Sequence, residues 1–376
     1  MKLGFIGGGY VGLVSAAGYA NLGHHCMVID IDPKKVDAIN SGIPPIYEDG
    51  LEDLLKKITG SKNLIASTNY SGLANCEIIF ICVGTPSGKD GSIDLTFIKS
   101  CSEQLSKIIK SANNFPIIVV KSTVVPQTTQ NIVLPILEKH SGKKAGSGFG
   151  IAMVPEFLKE GNALSDFKLP DRIVIGVNDK KSSELLKKLH SHFKCEILEV
   201  PIATAELIKY ASNSFLATKI SFINQIANLC DALGIQVDDV AKGMGLDKRI
   251  GKQFLKAGPG FGGSCFPKDV LALMHFSSQN GIEPTILESV MEVNYFQPMR
   301  MLKLALDASQ ENKAGSLNGK TVTVLGLSFK PNTDDTRKSP AIPLVEELLK
   351  LGCKIQAYDP KGMDNFKKLF PNLHYS

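Results

Sequence analysis

The amino-acid sequence predicts an α/β protein with a doubly wound parallel sheet at its N-terminus, a central helical domain and a smaller α/β domain at its C-terminus. Two observations indicate the sheet: short apolar runs rich in β-branched residues alternate with helical stretches, and a glycine-rich turn follows the first run. A third observation indicates the central domain. Beyond Pro201, apolar residues recur at steps of three or four, which is typical of one long helix.

The first domain, expected over residues 1–199, contains a series of apolar runs that we predict as strands. They are Lys2–Ile6, Cys26–Ile31, Ile78–Val83, Ile117–Val120, Gly150–Val154, Arg172–Val177 and Cys195–Glu199. Their alternation with helical segments favours parallel pairing, because parallel strands need a crossover connection between them.

The second domain, expected over residues 200–315, is dominated by the long helix. Its apolar face runs from Ile202 to Cys230 and is interrupted by Lys209 and Asn213, which lie four residues apart and therefore share that face. Either this part of the helix is partly exposed, or the two polar side chains line a cleft that holds a ligand.

The third domain, expected over residues 316–376, has two predicted strands, Thr321–Leu325 and Lys354–Tyr358. Between them, Ser339 is predicted as the N-cap of a helix and Pro340 as its first residue. One short helical segment follows the second strand. Two strands are too few for an independent sheet, so we expect this domain to be incomplete.

Composition and charge exclude several classes of protein. The chain has 376 residues, 43% of them hydrophobic and 21% charged, which is typical of a globular protein with two or three domains. A net charge of +5 without a run of like charges argues against nucleic acid as a partner. The sequence has no run of about 18 apolar residues, so no membrane partner is expected. The eight cysteines contain no Cys-x-x-Cys and the seven histidines no His-Glu-x-x-His, which predicts a reduced, cytoplasmic, metal-free protein.

The glycine-rich turn after the first strand is the first candidate binding site. Gly7 permits a tight turn, Gly9 lets the backbone approach a pyrophosphate, and Gly12 allows the helix to pack on the strand, as in Rossmann-type domains. Asp30 closes the second strand, where a carboxylate accepts hydrogen bonds from ribose hydroxyls. Together with Asp32 it would repel a 2′-phosphate, so NAD is the expected cofactor. The alternative is a glycine-rich turn in another α/β fold.

Three further segments follow predicted strands, at the sheet edge where ligands bind. Residues 83–86 (Val-Gly-Thr-Pro) and 121–124 (Lys-Ser-Thr-Val) are either ligand contacts or ordinary strand-to-helix turns. Residues 155–161 (Pro-Glu-Phe-Leu-Lys-Glu-Gly) place two carboxylates, Glu156 and Glu160, beside Lys159. This segment is either part of an active site or the solvated start of a helix.

Residues 258–269 form the most informative segment. Their glycines allow the backbone to fold tightly around a ligand, and they lead to Cys265, with Lys268 and Asp269 close behind. A buried cysteine is usually an inert hydrophobic residue. A cysteine behind a flexible loop and near a cation is a candidate nucleophile, because the positive charge stabilises the thiolate form.

Several segments together resemble the nucleotide-sugar dehydrogenases, the UDP-glucose/GDP-mannose dehydrogenase family. They are Gly-Phe-Gly-Gly-Ser-Cys-Phe-Pro-Lys-Asp (260–269), Pro-Glu-Phe-Leu-Lys-Glu-Gly (155–161), Lys209-x-x-x-Asn213, and Phe329-Lys330-Pro331 followed by Asp335-Thr336-Arg337. The resemblance covers essentially the whole chain, in motif order and spacing. Within the family it is greatest to members that oxidise UDP-glucose to UDP-glucuronate with NAD. The family carries a longer third domain with a further substrate-contacting arginine, which agrees with the expectation that the C-terminal domain is incomplete.

The resemblance implies roles for individual residues. The catalytic set is Cys265 as nucleophile, Lys209 and Asp269 for proton transfer and oxyanion stabilisation, Asn213 for placement of the reacting groups, and Glu156 or Glu160 with Thr123 to position a base or water. The NAD set is Gly7, Gly9, Tyr10, Val11, Gly12, Asp30, Lys35, Thr85, Thr123, Glu160, Lys268 and Arg337. The UDP-glucose set is Phe157, Leu158, Lys159, Glu160, Lys209, Asn213, Arg249, Phe254, Lys256, Gly262, Phe329 and Lys330.

The resemblance also implies that the C-terminal domain binds UDP and that the chain forms a homodimer through the central helical domain. Arg249 would reach the sugar bound by the neighbouring subunit. No nucleic-acid or membrane partner is implied.

A cysteine nucleophile fits a four-electron oxidation. Hydride does not readily leave a bare aldehyde, so the second of two oxidations needs a nucleophile to add first. Cys265 would form a thiohemiacetal and then a thioester, which water hydrolyses to the acid. The alternatives are a UDP-N-acetylmannosamine or GDP-mannose dehydrogenase, a two-electron β-hydroxyacid dehydrogenase, and a non-catalytic NAD-binding module.

Overall fold

The computed structural model describes residues 1–308 and 317–376. Within these residues the chain forms two compact units, Met1–Tyr210 and Ala211–Ser376. The expected division into domains 1–199, 200–315 and 316–376 stays a prediction, and its boundary after residue 315 lies outside the described residues.

The first unit is built on a sheet of eight strands. They are β1 (Lys2–Ile6), β2 (His25–Ile29), β3 (Leu64–Ser67), β4 (Ile78–Ile81), β5 (Ile117–Val120), β6 (Gly150–Met153), β7 (Arg172–Val177) and β8 (Glu196–Val200). Their spatial order is β3-β2-β1-β4-β5-β6-β7-β8. The direction of winding therefore reverses between β1 and β4, the place where doubly wound sheets open a ligand-binding crevice.

Helices connect these strands. In the first unit they are α1 (Tyr10–Asn21), α2 (Pro33–Asn40), α3 (Leu51–Gly60), α4 (Thr96–Ser111), α5 (Leu134–Ser141), α6 (Ala163–Lys168) and α7 (Lys180–His190), with a 3-10 helix at Tyr70–Asn75 and a π-helical turn at Thr129–Val133. Helix α8 (Ile202–Leu233) begins in the first unit and ends in the second.

The predicted fold class is confirmed, with two corrections to the sheet. Strand β3 is missing from the prediction because its Leu-Ile-Ala-Ser run has only four residues, one of which, Ile65, is exposed. Strands β6 and β7 pair antiparallel, whereas a wholly parallel sheet was predicted. The connection between them holds one helix, the six-residue α6, instead of the long crossover helix that usually joins parallel neighbours.

The core of the first unit lies on both faces of the sheet. Every residue of β4 and β5 is buried, which explains why these strands read as unbroken apolar runs. The Phe80 ring of β4 stacks on the Phe5 ring of β1 with centroids 4.9 Å apart, and both rings are fully buried.

The second unit is helical and ends in a small sheet. Besides the end of α8, its elements are α9 (Val237–Gly245), α10 (Phe266–Gln279), α11 (Thr285–Ala308), β9 (Thr321–Leu325), α12 (Ala341–Lys350), β10 (Lys354–Tyr358), α13 (Met363–Lys367) and β11 (His374–Tyr375). Strands β9, β10 and β11 form a parallel sheet in the order β11-β10-β9.

Two predictions about this terminal region are wrong. A third strand, β11, pairs with β10. It was not predicted because its two residues are too few for a pattern of alternating burial to appear in the sequence. Helix α12 begins at Ala341, with Pro340 at the N-cap position where Ser339 was predicted. The Ser339 hydroxyl nevertheless accepts a hydrogen bond from the Ala341 backbone N–H at 3.2 Å, so it satisfies one free donor of the first turn.

The turn after β9 repeats the turn after β1. Gly7 has φ +106° and donates its N–H to the Ile29 carbonyl at 2.7 Å, at the end of β2. Gly326 has φ +96° and donates its N–H to the Tyr358 carbonyl at 2.9 Å, at the end of β10. An aspartate follows in each case, Asp359 being the counterpart of Asp30. The small sheet is therefore a second, shorter version of the same strand-turn-helix-strand unit.

Within the described ranges, no helix is long and apolar enough to cross a membrane.

We predict that Phe80→Ala lowers the free energy of unfolding by about 3–5 kcal/mol, because it removes a fully buried ring from the middle of the sheet and leaves a cavity. The matched control is Phe97→Ala on α4, whose ring is 48% exposed and should change stability by about 0.5 kcal/mol or less. Chemical denaturation measures both. Equal losses in the two variants would contradict the assignment of Phe80 to the core.

Candidate active site

The turn between β1 and α1 has the form that a dinucleotide-binding turn requires. A Cβ at Gly7 would lie 2.7 Å from the Cys82 carbonyl oxygen, and a Cβ at Gly12 would lie 1.9 Å from the Gly7 carbonyl oxygen. Gly9 is the N-cap of α1, no side chain caps this helix, and a Cβ there would meet nothing within 4 Å. The first N–H groups of α1 are therefore free for a pyrophosphate, and these residues fit NAD.

Asp30 fixes the other end of this site. Its side chain is nearly buried at the tip of β2, where Oδ2 accepts a hydrogen bond from the Gly8 N–H at 2.7 Å and Oδ1 accepts one from the Asp32 N–H at 3.0 Å. The Lys35 ammonium lies 4.0 Å from Oδ2. A carboxylate has about four acceptor positions, so Asp30 retains capacity for ribose hydroxyls.

The segments after β4 and β5 meet at the same sheet edge. The Thr85 hydroxyl donates to the Thr123 carbonyl at 2.9 Å, and the Ser122 hydroxyl donates to the Val83 carbonyl at 2.7 Å. The two predicted ligand-contact segments, residues 83–86 and 121–124, are thus tied together. The role of Thr123 stays a prediction.

Glu156 forms an ion pair that the sequence does not reveal. Its Oε2 lies 2.7 Å from the Lys121 ammonium, and its Oε1 accepts hydrogen bonds from the N–H groups of Phe157 and Leu158 at 2.7 and 3.0 Å. Burial raises the pKa of the Glu156 carboxyl, but the charges of Lys121 and Lys209 and these hydrogen bonds outweigh burial and leave the pKa below its ordinary value. Glu156 is therefore an anchored carboxylate.

Residues 154–162 are an irregular segment, since α6 begins at Ala163. This excludes the alternative in which Glu156 and Glu160 start a solvated helix. The Lys159 ammonium pairs with Asp166 at 3.0 Å, and the Lys159 N–H also donates to Asp166. The N–H groups of residues 157–159 are thus all engaged within the first unit.

Lys209 lies in α8 and is nearly buried, as is Asn213. This excludes the alternative of an exposed start of the helix. The Lys209 ammonium lies 5.2 Å from the centroid of the Phe157 ring, and the Arg172 guanidinium lies 4.0 Å from the same centroid. Phe157 therefore interacts with two cations of the first unit.

Glu206, one turn before Lys209, binds the segment that follows Thr123. The carboxylate accepts hydrogen bonds from the N–H groups of Gln127 and Thr129 at 2.5 and 2.8 Å. Burial raises the pKa of Glu206 to about 6, against the opposing effect of these hydrogen bonds. Helix α8 and the segment after β5 are thus joined by a buried acid.

In the second unit, two asparagines hold the glycine-rich loop. Asn224 accepts a hydrogen bond from the Gly258 N–H at 2.8 Å. Asn294 accepts one from the Phe261 N–H at 2.7 Å and donates one to the Phe261 carbonyl at 3.0 Å. Side chains of α8 and α11 therefore fix the glycine-rich loop in place.

The same loop packs against the segment after β9. Gly263 has φ +81°, and its N–H donates to the Arg337 carbonyl at 2.8 Å. A Cβ at Gly262 would lie 2.1 Å from the Lys338 carbonyl oxygen, and one at Gly263 would lie 2.8 Å from the Phe329 ring. Backbone approach, and not flexibility alone, explains the glycines at these positions.

Cys265 is the N-cap of α10 and the exposed member of the eight cysteines, all of which lie in the described part of the chain. Asp269, one turn later, is buried and accepts a hydrogen bond from the Asn213 amide at 2.6 Å. The Lys268 ammonium pairs with the other oxygen of Asp269 at 2.5 Å, so its charge is partly neutralised there. Three residues of the predicted catalytic set therefore lie together in the second unit.

Other predicted ligand contacts have partners of their own. Arg249 pairs with Asp247 at 2.6 Å and its side chain is 89% exposed, while Arg337 pairs with Asp335 at 2.7 Å. Phe254 has φ +62°, a strained backbone for a non-glycine residue and a frequent feature of binding sites.

The remaining members of the UDP-glucose set are simply located. Lys256 is exposed. The Lys330 ammonium lies 5.5 Å from the centroid of the Phe329 ring. Their contacts with ligands stay predictions.

Sequence reasoning missed the residues that support these sites. They are Glu48, Glu206, Asn224 and Asn294, together with the ion pair of Lys121 with Glu156. Lys121 carried one available signal, since a lysine directly after the buried strand β5 needs a counter-charge. Within residues 1–308 and 317–376, no group of three or more His, Cys, Asp or Glu could hold a metal ion.

The glycine turn, Asp30 and the sheet behind them define a dinucleotide-binding domain of the Rossmann type. Models of the UDP-glucose/GDP-mannose dehydrogenase family match three parts of the chain: the NAD binding domain matches residues 1–194, the central domain 203–295 and the UDP binding domain 323–376. The chain belongs to this family, and its cofactor is NAD.

Curated relatives and solved structures agree. The UDP-glucose 6-dehydrogenase of Rickettsia bellii is 45% identical over 99% of this chain and 84% of the relative. A UDP-glucose 6-dehydrogenase of Bacillus subtilis is 44% identical over 99% of this chain and 82% of the relative. The structure of a UDP-glucose dehydrogenase from Pyrobaculum islandicum has a TM-score of 0.94 at 39% identity, covering 100% of this chain and 85% of that one. A GDP-mannose dehydrogenase from Pseudomonas aeruginosa has a TM-score of 0.66 at 35% identity, covering 98% and 83%.

We predict that Asp30→Ala lowers kcat/KM for NAD and raises the ratio of kcat/KM for NADP to that for NAD. The reason is that the carboxylate at the tip of β2 accepts from ribose hydroxyls and repels a 2′-phosphate. Asp37→Ala, at an exposed position on the neighbouring helix α2, is the control for loss of one negative charge. An Asp30→Ala variant with the wild-type ratio would show that Asp30 does not contact the ribose.

Proposed function

We propose that the protein oxidises UDP-glucose to UDP-glucuronate in two steps, through a thiohemiacetal and a thioester on Cys265. The observation that carries the mechanism is the position of Cys265, an exposed thiol at the end of a glycine-rich loop, while its seven counterparts are buried or half-buried. The names of the curated relatives at 42–45% identity support UDP-glucose as the substrate.

The atoms and electrons balance with two NAD per sugar. NAD, when bound, accepts one hydride at each oxidation. The first oxidation converts the C6 alcohol to an aldehyde, and the Cys265 sulfur then adds to its carbonyl carbon while the oxygen gains a proton. Loss of hydride from the carbon and of the proton from the hydroxyl group of this thiohemiacetal gives the thioester. Water attacks the thioester carbon, the C–S bond breaks, and the products are a carboxylate and the regenerated thiol.

The catalytic roles follow the contacts within each unit. Asp269, held by Asn213 and Lys268, lies one helical turn from Cys265 and assists its proton transfer. Lys209 supplies a buried positive charge that stabilises oxyanions. Glu156 is tied to Lys121 and to its own backbone, so it orients the segment, while Thr123 positions a water molecule.

The binding roles divide between the two units. In the first, the turn at Gly7–Gly12 and Asp30 hold NAD, together with Lys35, Thr85 and Glu160. Residues 157–160 offer their carbonyl groups to the UDP-sugar, since the N–H groups of residues 157–159 are engaged elsewhere. In the second, Phe254, Lys256, Gly262, Phe329 and Lys330 contact the UDP part, and Lys268 and Arg337 approach NAD.

Two alternatives are less well supported. A two-electron β-hydroxyacid dehydrogenase would also use a helical lysine and asparagine, but it needs neither Cys265 nor the glycine-rich loop. A GDP-mannose or UDP-N-acetylmannosamine dehydrogenase shares the nucleophile, yet the solved structures with those names resemble this chain less, with 26–35% identity and TM-scores of 0.66–0.85.

A homodimer through α8 is part of the proposal. Phe215, Phe222 and Leu229 lie seven residues apart, which places them along one face of the helix, and they are 65%, 47% and 56% exposed. A second copy of the chain can bury such a stripe by presenting the same stripe. Arg249 would then reach the sugar of the neighbouring subunit.

We also propose a cytoplasmic location. All eight cysteines are free thiols in the structure, which suits a reducing compartment.

We predict that Cys265→Ser lowers kcat by several powers of ten, while the Kd for UDP-glucose changes by less than about tenfold. Serine is a weaker nucleophile and a poorer leaving group, so the second oxidation fails although binding persists. The wild-type enzyme should release two NADH per sugar acid, and mass spectrometry should find a covalent sugar on the peptide containing Cys265. The control is Cys195→Ser, at a half-buried cysteine of the first unit. One NADH per sugar in the wild type, or full activity in Cys265→Ser, would exclude the mechanism.

We predict that an Arg249→Ala chain and a Cys265→Ser chain, each nearly inactive alone at limiting UDP-glucose, regain activity when co-expressed. If Arg249 acts across the dimer, a mixed dimer has one site with both residues intact. Half of the dimers are mixed, so about a quarter of wild-type activity should return. Adding Phe222→Glu to both chains should abolish both the dimer, measured by light scattering, and the recovery. Activity no greater than that of the separate variants would place Arg249 in its own subunit's site or outside it.

A further inference from the structure

The segment after β6 is held by a carboxylate at each end, and the second of them, Glu48, has no role in the mechanism above. At its start, Glu156 is bound to Lys121 at 2.7 Å. At its end, Glu48 accepts hydrogen bonds from the N–H groups of Gly161 and Ala163 at 2.8 and 2.6 Å. The four residues between these anchors, 157–160, are among those assigned to the UDP-sugar.

Glu48 is built into the first unit more firmly than an ordinary loop residue. It lies between α2 and α3 and is only 6% exposed. Its Oε2 also accepts a hydrogen bond from the Tyr10 hydroxyl. That hydroxyl in turn accepts one from the Gly161 N–H at 2.7 Å, so Tyr10, Glu48 and Gly161 form a closed triangle of hydrogen bonds.

Tyr10 connects this triangle of hydrogen bonds with the NAD-binding turn. It is the first residue of α1, directly after Gly9, whose backbone faces the pyrophosphate of NAD in the proposed function. One buried carboxylate thus connects the start of the NAD-binding helix with the end of the substrate segment. Hydrogen bonds to a charged acceptor are stronger than neutral ones, so the connection is stiff.

We propose that Glu48 is a positioning residue that holds residues 157–160 against the N-terminus of α1, so that UDP-glucose meets a substrate segment already placed relative to NAD. This inference rests on the proposed function for the identity of the two ligands. Glu48 touches neither ligand. Its effect reaches the substrate through Gly161 and reaches the cofactor helix through Tyr10.

Glu48→Gln tests the proposal, with Asp49→Asn as the matched control at the adjacent, exposed carboxylate. Glutamine keeps one acceptor oxygen but turns an NH₂ group toward N–H and O–H donors, so at least one of the three hydrogen bonds is lost. We expect the KM for UDP-glucose at saturating NAD to rise about tenfold or more. The Kd for NAD alone should change by less than about threefold, and Asp49→Asn should match the wild type in both.

A second variant, Tyr10→Phe, removes the hydroxyl that closes the triangle. Because Tyr10 and Glu48 act as one unit, the double variant should have a KM within about twofold of the more severe single variant. Independent roles would multiply the two effects. Tyr10→Phe also keeps the test valid if Glu48→Gln does not fold, since the phenyl ring preserves the packing of Tyr10.

Hydrogen exchange provides a readout that does not need the reaction. The amides of Gly161 and Ala163 should exchange faster in Glu48→Gln than in the wild type and in Asp49→Asn. If the wild type makes no NADH from UDP-glucose, the proposed function fails. The exchange measurement still tests whether Glu48 holds the end of the substrate segment. Unchanged exchange, an unchanged KM in Glu48→Gln, or equal losses of NAD and UDP-glucose binding would each overturn the inference.

Discussion

The ion pair between Lys121 and Glu156 is the constraint on which the first unit's part of the candidate site depends. Lys121 directly follows β5, and Glu156 lies shortly after the adjacent strand β6. Their pairing at 2.7 Å therefore ties together two strand ends at one edge of the sheet. Removing one partner of such a buried pair leaves an uncompensated charge, which typically costs about 3–5 kcal/mol. The Phe157 segment, the position of Thr123 and the surroundings of Lys209 all rely on this edge being fixed.

Much of the framework follows from local sequence. The glycines at 7 and 12 are dictated by backbone contacts that no side chain would tolerate, and the buried strands β4 and β5 read directly as apolar runs. The direction in which two strands pair is harder to predict than the presence of each strand. Nothing in the residues of β6 and β7 states that they pair antiparallel, because pairing depends on the path of the connection between them.

The supporting polar contacts could not be predicted for a related reason. Glu48 meets Gly161 and Ala163 across more than 100 residues of sequence, and no periodic pattern links them. The glycines before Cys265 are a local signal that separates it from the other cysteines, and the structure shows it exposed, while its role as nucleophile stays a prediction. The sequence did not indicate that the ammonium of Lys268 would pair with Asp269.

The repeated turn in the small terminal sheet uses its aspartate differently from the turn in the first sheet. Asp359 accepts hydrogen bonds from four backbone N–H groups, those of residues 327, 328, 361 and 362, at 2.7–2.9 Å. These fill the acceptor positions of its carboxylate, whereas Asp30 binds two backbone N–H groups and keeps the others. The aspartate at this position can therefore accept hydrogen bonds from a ligand in the first sheet, but not in the second. In the terminal sheet the Asp359 carboxylate holds its own loop in place. None of its acceptor positions remains for a ribose hydroxyl.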